Sequence, residues 1–152
     1  MELIAIARLP YQVQGRAMFE FGGNMMSAEL LPRLARLGHN VRVIAEAPPS
    51  ESGEKRIPFA PGEPGLTVVP FALRYRPSRT PPDRAWLDAQ RARLTALLGH
   101  LVQEKKPDLV VLGRELLAWY AVDVCRELEV PALVTVQGSP TAGLEHGIYP
   151  PA

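Results

Sequence analysis

Five short apolar runs, separated by stretches with helical periodicity, constrain the fold of this chain more than any other feature of its sequence. The runs are Leu3–Ala7, Val41–Ala45, Leu66–Val69, Asp108–Leu112 and Pro131–Val136. The first run shows no alternation of polar and apolar residues, as expected of a strand that is buried on both faces of a sheet. Helices between such strands imply a parallel sheet with right-handed crossovers. We therefore predict about five parallel strands in the order 3-2-1-4-5, with helices on both faces.

Three helical patterns connect these strands. The first runs from about Asn24 to Leu37, and Pro32 inside it predicts either a kink or a later start. Its predicted buried face consists of Met26, Leu30, Leu34 and Leu37. The second helix runs from a capping sequence at Thr80–Asp83 to about Lys105, and the third covers roughly Glu115 to Leu128. Gly38 stands at a position where a glycine commonly ends a helix, so we expect the first helix to end there.

This α/β, doubly wound arrangement is Rossmann-like, and its topological switch point lies between strands one and four. Three loops are predicted to meet there at the carboxyl ends of the strands. They contain Gly22-Gly23 after strand one, Gly113–Glu115 after strand four and Gln137–Thr141 after strand five. Ligands of open α/β sheets bind in such a crevice. The sequence therefore predicts a binding site at this edge.

The paired glycines Gly22 and Gly23 stand where a loop becomes a helix. They let a ligand approach the backbone without meeting a β-carbon, and the free amide donors and dipole of the first helical turn attract an anion. A phosphate or a carboxylate fits this chemistry. The simpler interpretation is that the glycines only turn the chain and allow close packing. Two glycines alone favour that interpretation, whereas their place at the switch point favours a phosphate-facing loop.

Composition excludes several classes of function. The chain has 152 residues, a formal net charge of +1 and one cysteine. This charge argues against nucleic-acid binding. The sequence shows no apolar stretch long enough for a transmembrane segment and no signal-peptide pattern. Because the single cysteine suits a reducing compartment, we expect a soluble cytoplasmic protein. Among its 16 prolines, five lie between Glu46 and Gly65, which predicts a mobile surface loop that packs no core.

Other chemistry finds little support in the sequence. His39, His100 and His146 are scattered without metal-ligand spacing, so no metal site is predicted. The chain has no Gly-x-Gly-x-x-Gly pattern, and we expect no dinucleotide cofactor. Cys125, in the middle of the third helix, is predicted to be a small buried residue.

Several motifs resemble the N-terminal domain of GT-B-fold family-4 glycosyltransferases. Gly22-Gly23 followed by Leu37-Gly38-His39-Asn40-Val41 is similar to the paired glycines, helix and glycine-histidine-x-valine sequence of that family. Lys106-Pro107-Asp108-Leu109-Val110-Val111 is similar to the start of the family's fourth strand. Val130–Gly138 resembles a later strand of the family that ends in histidine-glycine. The resemblance covers roughly Met1 to Gly138.

The resemblance implies the acceptor-binding half of a retaining glycosyltransferase, which transfers a sugar from a nucleotide-diphosphate donor to a hydroxyl acceptor. Gly22 and Gly23 would approach the diphosphate, while Arg8–Arg16 and Arg114-Glu115 would shape the acceptor side. Gln137 stands where the family has a histidine that contacts the donor sugar. The full set of substrate-binding residues that we predict is Gly22, Gly23, Asn24, Arg114, Glu115, Gln137, Gly138 and Ser139.

The chain departs from the family pattern in two ways. Gln137 can hydrogen-bond a sugar hydroxyl but cannot carry a proton. The family's second Rossmann-like domain, with its catalytic and donor-binding residues, would lie beyond Ala152. We therefore expect a domain at residues 1–141, an irregular tail at residues 142–152, and a truncated chain that is inactive alone. If further strands are missing, strand five either exposes its backbone edge or forms a homodimer with a second copy.

The residues leave one alternative open. A free-standing Rossmann-like module could bind an anionic small molecule or a protein partner without catalysis. Under this alternative the chain would not be an enzyme.

Overall fold

Strand β1, Glu2–Arg8, lies at the centre of a five-stranded parallel sheet. The structure, a computed structural model, describes residues 1–18, 22–47, 57–60, 62–72, 84–113 and 115–135. The other strands of the sheet are β4 (Asn40–Ala47), β6 (Leu66–Ala72), β7 (Leu109–Leu112) and β8 (Ala132–Val134). Three helices, α1 (Gly22–Arg36), α2 (Arg84–Glu104) and α3 (Glu115–Glu127), pack on it. A second sheet contains the short strands β2 (Tyr11–Val13), β3 (Arg16–Met18) and β5 (Ile57–Pro58).

The strand order across the main sheet is β6-β4-β1-β7-β8, with parallel pairing throughout. These strands correspond to predicted strands 3-2-1-4-5, so the predicted doubly wound α/β fold is confirmed. β1 pairs with β4 along its whole length, from Glu2 opposite Asn40 to Arg8 opposite Glu46. β6 lies at the edge of the sheet, which is where a strand that contains Pro70 is tolerated.

Both faces of β1 are buried, because helices cover the sheet from two sides. Ile4 and Ile6 point to one face, where they belong to a cluster with residues of α2 and α3. Leu3, Ala5 and Ala7 point to the other face, where α1 supplies Leu31 and Ala35. The alternation along a strand therefore divides one apolar run between two cores. This explains why β1 shows no polar positions between Leu3 and Ala7.

Helix α1 begins at Gly22 and contains Pro32 within its length, so the predicted later start is wrong. The predicted buried face is also wrong at two positions, since Leu30 is 44% and Leu37 is 73% exposed. Within residues 27–36 of α1, the buried residues are Ser27, Leu31, Pro32 and Ala35, and the predicted position Met26 lies outside the residues whose side chains the structure describes. The small side chains of Ser27 and Ala35 allow this face to pack against the sheet. The spacing of the leucines at steps of three and four predicts a neighbouring face of the helix. Leu30 and Leu37 on that face lie at the border of the surface that contacts the sheet.

The end of α1 has the geometry that the sequence predicts. Gly38 has φ +87°, which favours glycine. Its N–H donates to Ala35 O at 2.9 Å, and the His39 N–H donates to Leu34 O at 3.2 Å. These two bonds form a Schellman motif that satisfies the last carbonyls of the helix.

Helix α2 packs its leucines against the sheet. Its buried residues are Leu87, Gln90, Leu94, Leu98 and Leu101, and Leu97 packs partly buried against the same cluster. Gln90 is a polar residue on this buried face, and its Oε1 accepts a hydrogen bond from Arg93 at 3.0 Å. The predicted capping sequence at 80–83 lies outside the described residues. Cys125 in α3 is 2% exposed, as predicted, and burial raises the pKa of its thiol.

The described residues of the proline-rich stretch, which the sequence predicts as a loop without core contacts, include strand and core positions. β4 continues to Ala47, and Ile57–Pro58 forms β5, which pairs with β2. Pro58 is buried, and Ala60 packs against the core on the α1 face. The expectation that this stretch packs no core is therefore wrong for these residues, because antiparallel pairing with β2 gives them a fixed place. The mobility of the stretch stays a prediction.

The corrected face of α1 gives a test with adjacent leucines. We expect Leu31→Ala to lower the free energy of unfolding by about 2–4 kcal/mol, because it leaves a cavity at a residue that is 4% exposed. Leu30→Ala, at a residue that is 44% exposed, should cost less than about 1 kcal/mol. Urea denaturation of both variants measures the difference. Equal losses would contradict the observed orientation of α1.

Candidate functional site

Helices α1 and α3 both begin at the edge where the parallel strands end, which we call the carboxyl edge. α1 ends near the opposite, amino edge, since Asn40 follows it closely and donates its N–H to Met1 O at 2.9 Å. α3 also ends at the amino edge, where Pro131 O accepts the N–H of Val110 at 2.9 Å. The first turns of α1 and α3 therefore lie at the carboxyl edge, on opposite faces of the sheet. Their dipoles both present a positive end there.

The carboxyl ends of β1, β7 and β8 are in direct contact around Gly113. The Gly113 N–H donates to Ile6 O at 2.8 Å. A β-carbon on Gly113 would lie 3.3 Å from Ile6 O and 3.7 Å from Thr135 Oγ1. Thr135 in turn donates its N–H to Leu112 O at 3.0 Å, and its hydroxyl lies 3.3 Å from the same oxygen. The three predicted loops thus start from adjacent positions at the switch point.

The predicted site residues divide between described and undescribed parts of the chain. Gly22, Gly23 and Asn24 form the first turn of α1, and Glu115 is the first residue of α3. The remaining predicted site residues, Arg114, Gln137, Gly138 and Ser139, lie outside the described residues. The first turn of α1 contains no acidic residue, so no carboxylate of its own neutralises the positive end of this helix. The backbone of this turn is suited to an anionic guest.

A hairpin that the sequence did not predict lies between β1 and α1. β2 and β3 pair antiparallel, with Tyr11 opposite Met18 and Val13 opposite Arg16. Its two-residue turn has positive φ at both positions, 49° at Gln14 and 79° at Gly15. Gln-Gly is a weaker hairpin signal than Asn-Gly or Asp-Gly, which explains why the turn was missed. Tyr11, only 1% exposed, anchors the hairpin to the core.

The amino edge carries a second candidate, a cavity of about 400 Å³. It is lined by the beginnings of β1, β4 and β6 and by the last residues of α2, and its charged lining residues are Glu2, Arg42, Glu104 and Lys105. Arg42 reaches the end of α2, where its guanidinium donates to the carbonyl oxygens of Leu101, at 2.7 Å, and Lys105. Cations at a helix C-terminus are favoured by the dipole, so this contact holds α2 against the sheet.

The other charges of this cavity are also paired with one another. Lys105 Nζ lies 2.7 Å from Glu2 Oε1, which also accepts a hydrogen bond from Asn40 Nδ2 at 2.5 Å. The pKa of Glu2 is lowered, most strongly by the hydrogen bond from Lys105 and next by the hydrogen bond from Asn40. Glu104 pairs with His100 at 3.2 Å and lies 4.0 Å from Arg42. These charged groups pair with one another, and only Arg42 Nε among their described atoms is buried without a hydrogen-bond partner. We therefore interpret the amino edge as a structural connection and the carboxyl edge as the candidate site.

Gly113 gives a test of the close approach at the carboxyl edge. We expect Gly113→Ala to destabilise the protein by about 1–3 kcal/mol, because the added carbon presses on the backbone of the central strand. Gly99→Ala in α2 is the control, since a β-carbon there meets nothing within 4 Å and alanine favours a helix by up to about 1 kcal/mol. Thermal unfolding of the two variants should shift in opposite directions. A Gly113→Ala variant as stable as the original chain would contradict the contact.

Solved structures with the same fold include two glycosyltransferases. A UGT transferase from Siraitia grosvenorii, in complex with UDP, superposes with a TM-score of 0.56 and 18% identity, over 89% of this chain and 27% of that one. The glycosyltransferase of kitacinnamycin gives a TM-score of 0.52 and 21% identity, over 95% of this chain and 33% of that one. The chain thus spans about a third or less of these two proteins.

The fold also occurs in a separately crystallised domain of similar size. The C-terminal domain of the PF1911 hydrogenase from Pyrococcus furiosus superposes with a TM-score of 0.54 and 15% identity, over 89% of this chain and 90% of that domain. At such identities, all three superpositions show the fold alone. No curated protein sequence matches the chain at a significant level. No helix within the described ranges is long and apolar enough to cross a membrane.

The family is shown by the sequence itself. Residues 21–152 match the family described as the glycosyl transferase 4-like domain. The match begins just before Gly22-Gly23 and includes β4, β7 and β8, whose motifs resemble family-4 glycosyltransferases. This chain belongs to the glycosyl transferase 4-like domain family.

Proposed function

We propose that this chain is the N-terminal, acceptor-side half of a retaining glycosyltransferase that uses a nucleotide-diphosphate sugar. The observation that carries the proposal is the position of Gly22-Gly23 in the first turn of α1, beside the switch point between β1 and β7. Membership of the glycosyl transferase 4-like domain family supports the same chemistry. The chain would act together with a second Rossmann-like domain, and the single buried Cys125 suits a reducing compartment such as the cytoplasm.

In this proposal α1 faces the donor diphosphate. The free N–H groups at the start of α1 would donate to the phosphate oxygens, and the lack of a carboxylate in this turn leaves the helix dipole available to them. Glycine at both positions would let the phosphates reach the backbone. Siraitia grosvenorii UGT, which shares the fold, was solved with UDP, a nucleoside diphosphate of the class that such a transfer releases.

The acceptor would bind between α1 and the opposite wall of the crevice. The β2–β3 hairpin and the start of α3 border this space in the proposal, with Arg114 and Glu115 on the acceptor side. Gln137, Gly138 and Ser139, which follow β8, would contact the sugar through hydrogen bonds. Gln137 offers an amide donor and a carbonyl acceptor and carries no proton for acid–base catalysis.

In the complete enzyme an acceptor hydroxyl would attack the anomeric carbon from the face on which the diphosphate departs, and the hydroxyl proton would pass to the departing phosphate oxygen as the bond to the diphosphate breaks. The departing diphosphate gains negative charge as this bond lengthens. Backbone N–H groups fixed at a helix start stabilise such charge without having to reorient. The chain's own contribution would be this stabilisation, together with the orientation of the acceptor.

Titration with UDP tests the assignment of the diphosphate to α1. We expect a dissociation constant of about 1 mM or weaker for this chain, because the proposal assigns most donor contacts to a second domain. Amide chemical-shift changes in a nitrogen-15 spectrum should concentrate at Gly22–Asn24 and Gly113. Binding tighter than about 1 µM would contradict the assignment of the donor site to another domain.

A matched pair of charge substitutions separates local contact from bulk charge. Gly23→Asp should weaken UDP binding by about tenfold, since a carboxylate would stand next to the diphosphate. An aspartate in a first helical turn is favourable for folding, so the loss would not reflect unfolding. Gly62→Asp adds the same charge at an exposed site where a β-carbon meets nothing within 4 Å, and it should leave binding unchanged. Equal effects of both variants would overturn the assignment.

The alternative function is a free-standing module that binds an anionic small molecule or a protein partner without catalysis. It is favoured by the likeness to a hydrogenase C-terminal domain, which shows that the fold also occurs outside glycosyltransferases. The intact mass of the protein isolated from its native cells distinguishes the two functions. A mass of 16.7 kDa would favour the module, and a mass about three times larger would favour the transferase.

A further inference from the structure

Strand β1 ends in a charged residue on a face that is otherwise apolar. Ile4 and Ile6 belong to the core shared with α2 and α3, and Arg8 lies on the same face because side chains alternate along a strand. Arg8 is half-buried, and arginine is a residue type that seldom leaves the surface. Its position at the end of the central strand, next to the switch point, indicates a role in binding.

Arg8 and the paired glycines lie on opposite sides of the main sheet. The residues of β1 that pack with α1 are Leu3, Ala5 and Ala7. Arg8 alternates with Ala7 and therefore points away from α1, towards the side of α2 and α3. The crevice at the carboxyl edge thus has the first turn of α1 on one side and Arg8 on the other.

A second arginine, Arg91 in α2, lies at about the height of Arg8 along the sheet. α2 runs antiparallel to the strands, and the bond from Arg42 on β4 to Leu101 O fixes its position along them. Arg8 lies opposite Glu46, which is four residues beyond Arg42 and so about 13 Å further along the strand. The same distance along α2 corresponds to about nine residues. It leads from Leu101 back to the turn that contains Arg91.

The side chain of Arg91 lies on the flank of α2 that faces away from β6. Arg93 marks the β6 flank, since its guanidinium carbon is 5.1 Å from the ring centre of Phe71 on that strand, and it also donates to Gln90 Oε1 at 3.0 Å. Residues two positions apart on a helix differ in direction by about 200°. Arg91, which is half-buried, therefore points towards β1 and α3, on the same side as Arg8.

This end of α2 carries more positive than negative charge. Residues 84–93 contain three arginines and one aspartate. The aspartate, Asp88, lies 3.8 Å from Arg84 and pairs with it. Arg91 and Arg8 add two further guanidinium groups beside the crevice. Because a guanidinium binds a carboxylate or a phosphate through two parallel hydrogen bonds, this pair suits an oxyanion.

We propose that Arg8 and Arg91 bind an anionic group of the acceptor, a phosphate or a carboxylate, on the α2 and α3 side of the crevice. The inference rests on the proposed function, which assigns the donor diphosphate to α1 on the other side. Separate anion sites hold the two substrates on opposite sides of the space in which their reacting atoms meet. A neutral acceptor of the same size binds more weakly, since it offers no charge-assisted hydrogen bond to either guanidinium.

Titration with inorganic phosphate at constant ionic strength, followed in a nitrogen-15 spectrum, tests this subsite. We expect amide shifts at two separate places, around Gly22–Asn24 and around Arg8 and Arg91, with dissociation constants on the order of 1–10 mM. A parallel titration with acetate distinguishes the two anions. An equal response at Arg8 and Arg91 means that a carboxylate also fits, whereas a response to phosphate alone assigns the subsite to a phosphate group.

Matched substitutions make the test specific for the two arginines. Arg8→Gln and Arg91→Gln should each weaken phosphate binding at this subsite by about tenfold, through loss of a charge-assisted hydrogen bond. Arg93→Gln is the control, because it removes the same charge two residues away on the other flank of α2, and it should change binding by less than about twofold. Arg8→Lys keeps the charge without the planar fork and should bind with intermediate strength.

The positions of the shifts separate this proposal from the proposed function. Shifts at Gly22–Asn24 with none at Arg8 and Arg91, or equal losses for Arg91→Gln and Arg93→Gln, would overturn the anionic acceptor site and leave the diphosphate assignment intact. Shifts at Arg8 and Arg91 alone would support the subsite and contradict the diphosphate assignment. If thermal unfolding shows that Arg8→Gln does not fold, Arg91→Gln and Arg8→Lys decide the outcome.

Discussion

The burial of β1 on both faces is the constraint on which the rest of this structure depends. Ile4 and Ile6 fill the core shared with α2 and α3, while Leu3, Ala5 and Ala7 face α1. The alanines on the α1 side are matched by Ala35 on the helix, so the side chains between helix and sheet are small there. This close packing sets the position of α1, and with it the position of Gly22 and Gly23 at the carboxyl edge.

The amino edge and the carboxyl edge of the main sheet differ in how their charged and polar groups are paired. At the amino edge, Arg42 binds the last carbonyls of α2 and Lys105 pairs with Glu2, so charged groups there satisfy one another. At the carboxyl edge, the strands β1, β7 and β8 end in contact around Gly113, and α1 and α3 begin. Internal pairing fixes the scaffold at one edge, and at the other edge the first turn of α1 contains no acidic residue. This division is what the proposed binding of a diphosphate requires.

The sheet order and the convergence of three loops could be predicted because apolar runs and the handedness of crossovers leave few arrangements. The buried face of α1 could not, since Ser27 and Ala35 pack against the sheet while the larger Leu30 and Leu37 remain exposed. The hairpin was missed because Gln14 adopts a positive φ that its residue type does not signal. For the site, the backbone positions of Gly22–Asn24 and Glu115 follow from topology, whereas the amino-edge cavity arises from residues far apart in sequence, such as Glu2 and Lys105.

The position of the chain's first residues has a practical consequence for experiments on immobilised protein. Met1 is 59% exposed, its carbonyl accepts the Asn40 N–H, and the following Glu2 N–H donates to Asp108 at 2.7 Å. These contacts hold the amino terminus at the amino edge, which is the end of the strands opposite to Gly113. A tether attached at Met1 would therefore leave the crevice facing the solution, so that a surface-based measurement could present ligands to it without obstruction by the support.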